Sequence, residues 1–112
     1  MLFRSDWARI VQLYGALQRL WPSPAVDVAL LAALAQQALA ADRVEEMAPV
    51  EEGLVRLAET GPSYARRDAS FALADLCWRT GRREEAAGRY RELAGQVENE
   101  AVRRFCERRA GG

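Results

Sequence analysis

Thr80-Gly81-Arg82-Arg83-Glu84-Glu85-Ala86-Ala87-Gly88-Arg89-Tyr90 reads as the bend of a helical hairpin, and the fold follows from that reading. Gly81 is free to take positive φ and end a helix. Glu84 and Glu85 then stand in the first turn of the next helix, where the helix dipole favours carboxylates. Ala86 and Tyr90, four residues apart, share one face of that second helix. Behind Gly81, Leu73, Ala74 and Cys77 form the apolar stripe of the first helix, and Ala74 is small enough for its partner to approach closely.

A small residue on one helix facing an Ala-x-x-x-aromatic pair on the next resembles the tetratricopeptide repeat. The resemblance implies an all-α stack of about six antiparallel helices, a short right-handed solenoid of the kind that serves as a binding scaffold. Composition agrees with an ordered helical domain. The chain has 112 residues, half of them hydrophobic, only four Pro, and no Gly-rich or Ser-rich tract. That is one domain, residues 1–112, with room for a modest core and little room for an enzyme's cleft. All sixteen basic residues are Arg, and the formal net charge is zero. Residues 1–62 hold five Arg against eight acids, and residues 63–112 eleven against eight, so the halves are oppositely charged. So mild and interspersed a dipole does not make a nucleic-acid binder, and no direct nucleic-acid contact is expected.

Cys77 and Cys106 are two cysteines in a chain without histidine. Neither a zinc site nor a Cys-His nucleophile can be assembled from them, so no metal or cofactor is expected and both are read as reduced core residues. The N-terminal Met-Leu-Phe-Arg-Ser lacks a signal-peptide apolar run, and the Ala/Leu-rich stretch from Val26 to Ala41 is interrupted by Asp27, Gln36 and Gln37. A soluble cytoplasmic protein without a membrane span is expected.

Punctuation divides the chain into six helices. Residues 1–5 are expected to be disordered, with Ser5 or Asp6 opening a helix that carries Trp7, Ile10, Val11, Tyr14, Leu17 and Leu20. Ser23 caps the second helix with Pro24 at its first position, and Asp42-Arg43 marks a turn. Pro49 places the start of the third near Met47 or Ala48. Gly61-Pro62-Ser63 stops it and caps the fourth, with Tyr64, Phe71, Leu73, Leu76 and Cys77 as apolar positions. The fifth runs from Glu84 to Gln96. Asn99 caps a final helix, 99–109, that closes the stack with Val102, Phe105 and Cys106 inward and its Arg residues, Arg109 among them, largely solvated. Ile10, Tyr14, Leu17 and Pro22 are spaced four, three and five apart, and Val50, Leu54, Leu57 and Pro62 repeat that spacing. Ala86, Tyr90 and Leu93 continue it, with Glu98 in place of Pro. The first helix thus matches the third and fifth, and its apolar face lacks a preceding partner.

Asp6-Trp7, Ile10-Val11 and Leu13-Tyr14 followed by Pro22-Ser23-Pro24 resemble the start of the final segment in a family of bacterial sigma factors. So do the closing residues: Arg79, Gly81-Arg82, Glu85-Ala86-Ala87, Tyr90-Arg91, Asn99-Glu100-Ala101, Arg103-Arg104-Phe105 and Glu107-Arg108-Arg109. These are extracytoplasmic-function-type sigma factors with a tetratricopeptide-like C-terminal extension. The middle departs, since that family follows its Pro-Ser-Pro with an Asn-Arg pair and a Gly-Pro turn, whereas Ala25 to Met47 here is Ala/Leu-rich helix and acidic turn. The family's polymerase-gripping and promoter-reading parts lie upstream of the matched segment. The resemblance therefore implies a regulatory interaction module, expected to be an incomplete sigma factor, whose partners are sigma core regions, RNA polymerase or a regulator.

No catalytic site is legible. Glu45-Glu46, Glu51-Glu52 and Glu84-Glu85 are read as solvated or dipole-stabilising pairs, and there is no phosphate-cradling Gly loop. Tetratricopeptide geometry places the candidate partner-binding face on the helix that opens each hairpin, the first-type helix, here at Asp68, Phe71, Asp75, Trp78 and Arg79, where an aromatic pair would flank a carboxylate. The competing reading has Phe71 and Trp78 packing on neighbouring helices. Two other functions stand beside the sigma-factor module: a stand-alone adaptor or chaperone binding a peptide or helix, and a homodimer formed through the first helix.

Overall fold

Backbone φ turns positive after three helices, at Asp42, Gly81 and Gly111, and the first two of these reversals shape the hairpins. The computed structural model describes residues 4–111, with side chains from Asp6 onward except Val44. Gly81 takes φ 83°. Behind it, Arg82 N–H donates to Cys77 O at 2.9 Å and Gly81 N–H to Trp78 O at 3.4 Å, which closes the helix end with two backbone bonds. Asp42, at φ 55°, does the same one hairpin earlier. Arg43 N–H donates to Ala38 O at 2.9 Å and Asp42 N–H to Leu39 O at 3.2 Å.

The chain is all-α among the described residues: α1 (Arg4–Leu20), α2 (Pro24–Ala40), a 3-10 turn (Val44–Glu46), α3 (Met47–Thr60), α4 (Ser63–Arg79), α5 (Arg83–Ala94) and α6 (Glu100–Arg109). The expected caps at Ser23 and Asn99 are present, as Ser23 accepts from Ala25 N–H and Asn99 from Val102 N–H. Several details differ from the sequence-based expectation. α1 begins at Arg4, so Arg4 and Ser5 are helical where disorder was expected, and Met1 to Phe3 lie outside the described residues. Within the Gly61-Pro62-Ser63 stretch expected to cap α4, Pro62 holds the N-cap position, and no side chain bonds that end. α5 stops at Ala94 rather than Gln96, where Gln96 and Val97 N–H both turn back onto Leu93 O.

α2 and α4 are each 17 residues long and begin and end 39 positions apart, the separation of the Gln36–Asp75 hydrogen bond that joins them. They are equivalent first-type helices, and each is followed by a second-type helix, α3 or α5. The three-residue 3-10 turn before α3 accounts for the longer first hairpin. Each helix packs on its neighbour in sequence, and α2 also packs on α4. At the end of α3 Gly61 N–H donates to Leu57 O at 3.0 Å, and a Cβ there would lie 2.5 Å from that oxygen, so the position takes a glycine.

α4 sits between two cores. One side contributes Ala65, Ala69, Leu73 and Leu76 to a cluster with Val28, Ala35, Val50 and Leu54. The other contributes Ala74 and Cys77 to a cluster with Ala86, Tyr90, Leu93 and Cys106. Small residues along α4 let both neighbours approach, as Ala74 was expected to do. Outside these cores two expectations fail: Tyr64 is 59% and Val102 37% exposed.

Candidate functional site

The five residues expected on one partner-binding face are sorted by α4 into two groups. Asp68 and Arg79 are exposed, and Asp75 is half-buried. Asp75 receives Gln36 Nε2 at 3.3 Å and pairs with Arg79 Nε at 2.9 Å. These three lie on the side of α4 that α2 extends. The offset of 39 carries Asp68, Asp75 and Arg79 onto Ala29, Gln36 and Ala40 of α2.

Phe71 and Trp78 instead pack against the second core. The Trp78 and Tyr90 rings meet edge-on, with centroids 6.4 Å apart at 80°. Tyr90 meets Phe105 in the same way at 5.7 Å. Two guanidinium groups lie over Trp78, Arg83 at 3.8 Å and Arg109 at 4.1 Å from the ring centroid. Arg109 also stands 4.9 Å from the Phe105 centroid and 5.7 Å from that of Tyr90. Arg109 was expected to be solvated. It is half-buried, held by the negative faces of three aromatic rings, and its Nη1 has no hydrogen-bond partner among the described residues.

Beside this aromatic cluster runs a charged one. Arg82, in the turn before α5, forms a bidentate pair with Glu51 of α3, in which its Nη1 lies 3.2 Å from Oε2 and its Nη2 bonds Oε1. Arg82 Nη1 is 3.7 Å from Glu85, and Arg89 Nε 3.6 Å from Glu85. The buried Cys77 thiol donates to Glu85 Oε2 at 3.2 Å. Burial raises the Cys77 pKa, and the bond to Glu85 raises it further, while the same bond lowers that of Glu85. Burial likewise raises Cys106 and Tyr90. Protonated, buried thiols are poor nucleophiles.

A shallow groove of about 400 Å³ lies among the ends of α3, α4 and α5, bordered by Ser63, Arg66, Arg67, Ser70, Glu92 and Gln96. Arg67 Nη2 donates across it to Gln96 O at 3.2 Å. Sequence reading missed Gln36, Arg82, Glu51 and Arg109. Only Gln36 had a legible signal, standing 39 residues before Asp75 once the two first-type helices are aligned. Of the paired carboxylates, Glu45, Glu52 and Glu84 are exposed, Glu46 is exposed and pairs with Arg43, and Glu51 and Glu85 pair with Arg82. Among the described residues no group of three or more Cys, Asp or Glu side chains could hold a metal ion, and no helix is long and apolar enough to cross a membrane. The chain matches no known protein-family model, no curated protein and no solved structure.

Proposed function

We propose that this chain is a non-catalytic interaction module that regulates transcription in the bacterial cytoplasm, of the kind that forms the C-terminal extension of extracytoplasmic-function-type sigma factors. Its partners are then the sigma core regions, RNA polymerase or a regulator of either. The observation that supports this most is where the residues carrying the resemblance lie. Gly81 turns the hairpin at positive φ, Ala86 and Tyr90 are buried at its interface, and Asn99 caps α6. Motif residues that build a helical stack are what such an extension requires. The face available to a partner is that of α2 and α4, with Asp68 and Arg79 exposed on either side of the Gln36–Asp75 bond.

The test is retention by the immobilised chain of purified sigma core regions and of core RNA polymerase. Saturable retention is expected, with loss in an Asp68→Arg/Arg79→Glu variant whose circular dichroism and melting are unchanged. Failure of the wild-type chain to retain any of these proteins would overturn the reading. A stand-alone adaptor is the second reading, favoured by the Arg66–Arg67 groove, whose cations suit an acidic peptide. In that case binding should follow Arg66→Glu and ignore Asp68 and Arg79.

A further inference from the structure

α4 carries one pattern twice. Tyr64, Phe71 and Trp78 stand seven residues apart, and Asp68 and Asp75 follow the first two of them by four. With 3.6 residues to a turn, all five fall within about 80° of the helix circumference and so share a face. The C-terminal set, Phe71, Asp75 and Trp78, is served by the chain itself. Asp75 pairs with Arg79 at 2.9 Å and accepts from Gln36 of α2 at 3.3 Å, and Arg83 and Arg109 lie over the Trp78 ring at 3.8 and 4.1 Å. The N-terminal set, Tyr64, Asp68 and Phe71, has the same aromatic–carboxylate–aromatic spacing. Tyr64 is 59% exposed, Asp68 is exposed and Phe71 half-buried. Asp68 has no ion pair and no hydrogen bond among the described residues. Ala72 holds the position, four residues on, from which Arg79 serves Asp75. The offset of 39 gives the three residues the α2 counterparts Ala25, Ala29 and Ala32, none of which can donate to a carboxylate as Gln36 does. Arg66 and Arg67 border the groove among α3, α4 and α5, where Arg67 is bonded to Gln96 O.

We propose that Tyr64, Asp68 and Phe71 form a seat for one arginine side chain presented by a partner protein. The chain's own use of the C-terminal set defines the chemistry, in which a carboxylate accepts from guanidinium N–H groups and an aromatic face takes the flat of the cation. A guanidinium can do both at once because it is planar, whereas an ammonium is a compact point charge. Three alanines on α2 keep the approach to the seat clear of large side chains. An exposed tyrosine beside an unpaired carboxylate has the composition of an interface anchor. The proposal rests on the reading of the α2–α4 face as the one turned to a partner, and not on which protein that partner is.

The probe is N-acetylarginine methylamide, titrated into the full chain at constant ionic strength and followed by the NMR shifts of backbone amides and aromatic rings. Saturable shifts are expected at Tyr64, Asp68 and Phe71, with a Kd on the order of tens of millimolar, as suits one anchor of a larger interface. The neutral isostere N-acetylcitrulline methylamide should give none. Asp68→Asn and Tyr64→Leu should each weaken binding roughly threefold or more, and Glu52→Gln, at an exposed carboxylate of α3, should leave it unchanged. Absence of saturable shifts up to about 100 mM would overturn the proposal, as would shifts spread evenly over the other exposed carboxylates or undiminished in Asp68→Asn. So would a dimer of the chain alone that Asp68→Asn dissolves, which would give the seat to a second copy. A chain that retains no polymerase or sigma protein would leave these shifts unaltered, so the two readings fail separately.

Discussion

Asp42 and Gly81 do the same work with different residues, and the difference is measurable. Both sit at positive φ at the end of a first-type helix, but an L-residue there is strained, and a carboxylate at a helix C-terminus meets the negative end of the dipole. Asp42→Gly is expected to stabilise the protein by up to about 1 kcal/mol. Gly81→Ala should cost about 1 kcal/mol even though nothing lies within 4 Å of its Cβ position. Shifts of the denaturant midpoint in opposite directions would check both. The stop at Gly81 was legible because glycine at a helix end has one common use, whereas Asp42 could be placed in a turn but not assigned its conformation. At Cys77 and Cys106 the expectation of buried, reduced residues holds. With both thiols desolvated and their pKa raised, neither should react with a disulfide reagent at pH 8 in the folded protein, and both should react in denaturant. Reaction of the native chain would contradict this account.

At the scale of elements, α4 was the best read and α6 the worst. The α4 stripe is apolar and regularly spaced, so its burial followed from periodicity. α6 looks like an Arg-rich solvated helix because charge was taken to mean exposure. Arg109 instead lays its guanidinium on Trp78, which no spacing rule encodes. Trp78→Ala is therefore expected to cost about 2–4 kcal/mol, since it empties a site bordered by Tyr90 and two arginines. Arg109→Ala should cost less, on the order of 1 kcal/mol. If Trp78→Ala left stability unchanged and abolished retention of a partner, Trp78 would be a binding residue and the packing account would fail. Hydrogen exchange should rank the helices in the same terms. α4, closed between two cores, should exchange most slowly, and α1, which among the described residues packs on α2 alone, first.

Over the whole molecule, charge ties the hairpins together where the cores do not meet. Glu51, Arg82, Glu85 and Arg89 connect α3, the α4–α5 turn and α5, and Cys77 links α4 to the same group. Because the Glu85 pKa is held below its ordinary 4.5, chiefly by the Cys77 bond, its contribution to stability is complete above that value. It is lost as pH falls through the lowered one. The effect is small because Glu85 is about half-exposed. Glu85→Gln should flatten the acid limb of the stability profile below pH 4.5 and leave its neutral limb parallel to wild type. An unchanged acid limb would show that Glu85 does not titrate with folding. The sequence by itself determined the helix count, the turns and the buried stripe of α4, because periodicity, caps and turn residues act within a few positions along the chain. Only the tertiary structure decided which half of the expected partner face is free and where Arg82 and Arg109 go. Those outcomes depend on which distant side chains the packing brings together, and local spacing carries no record of that.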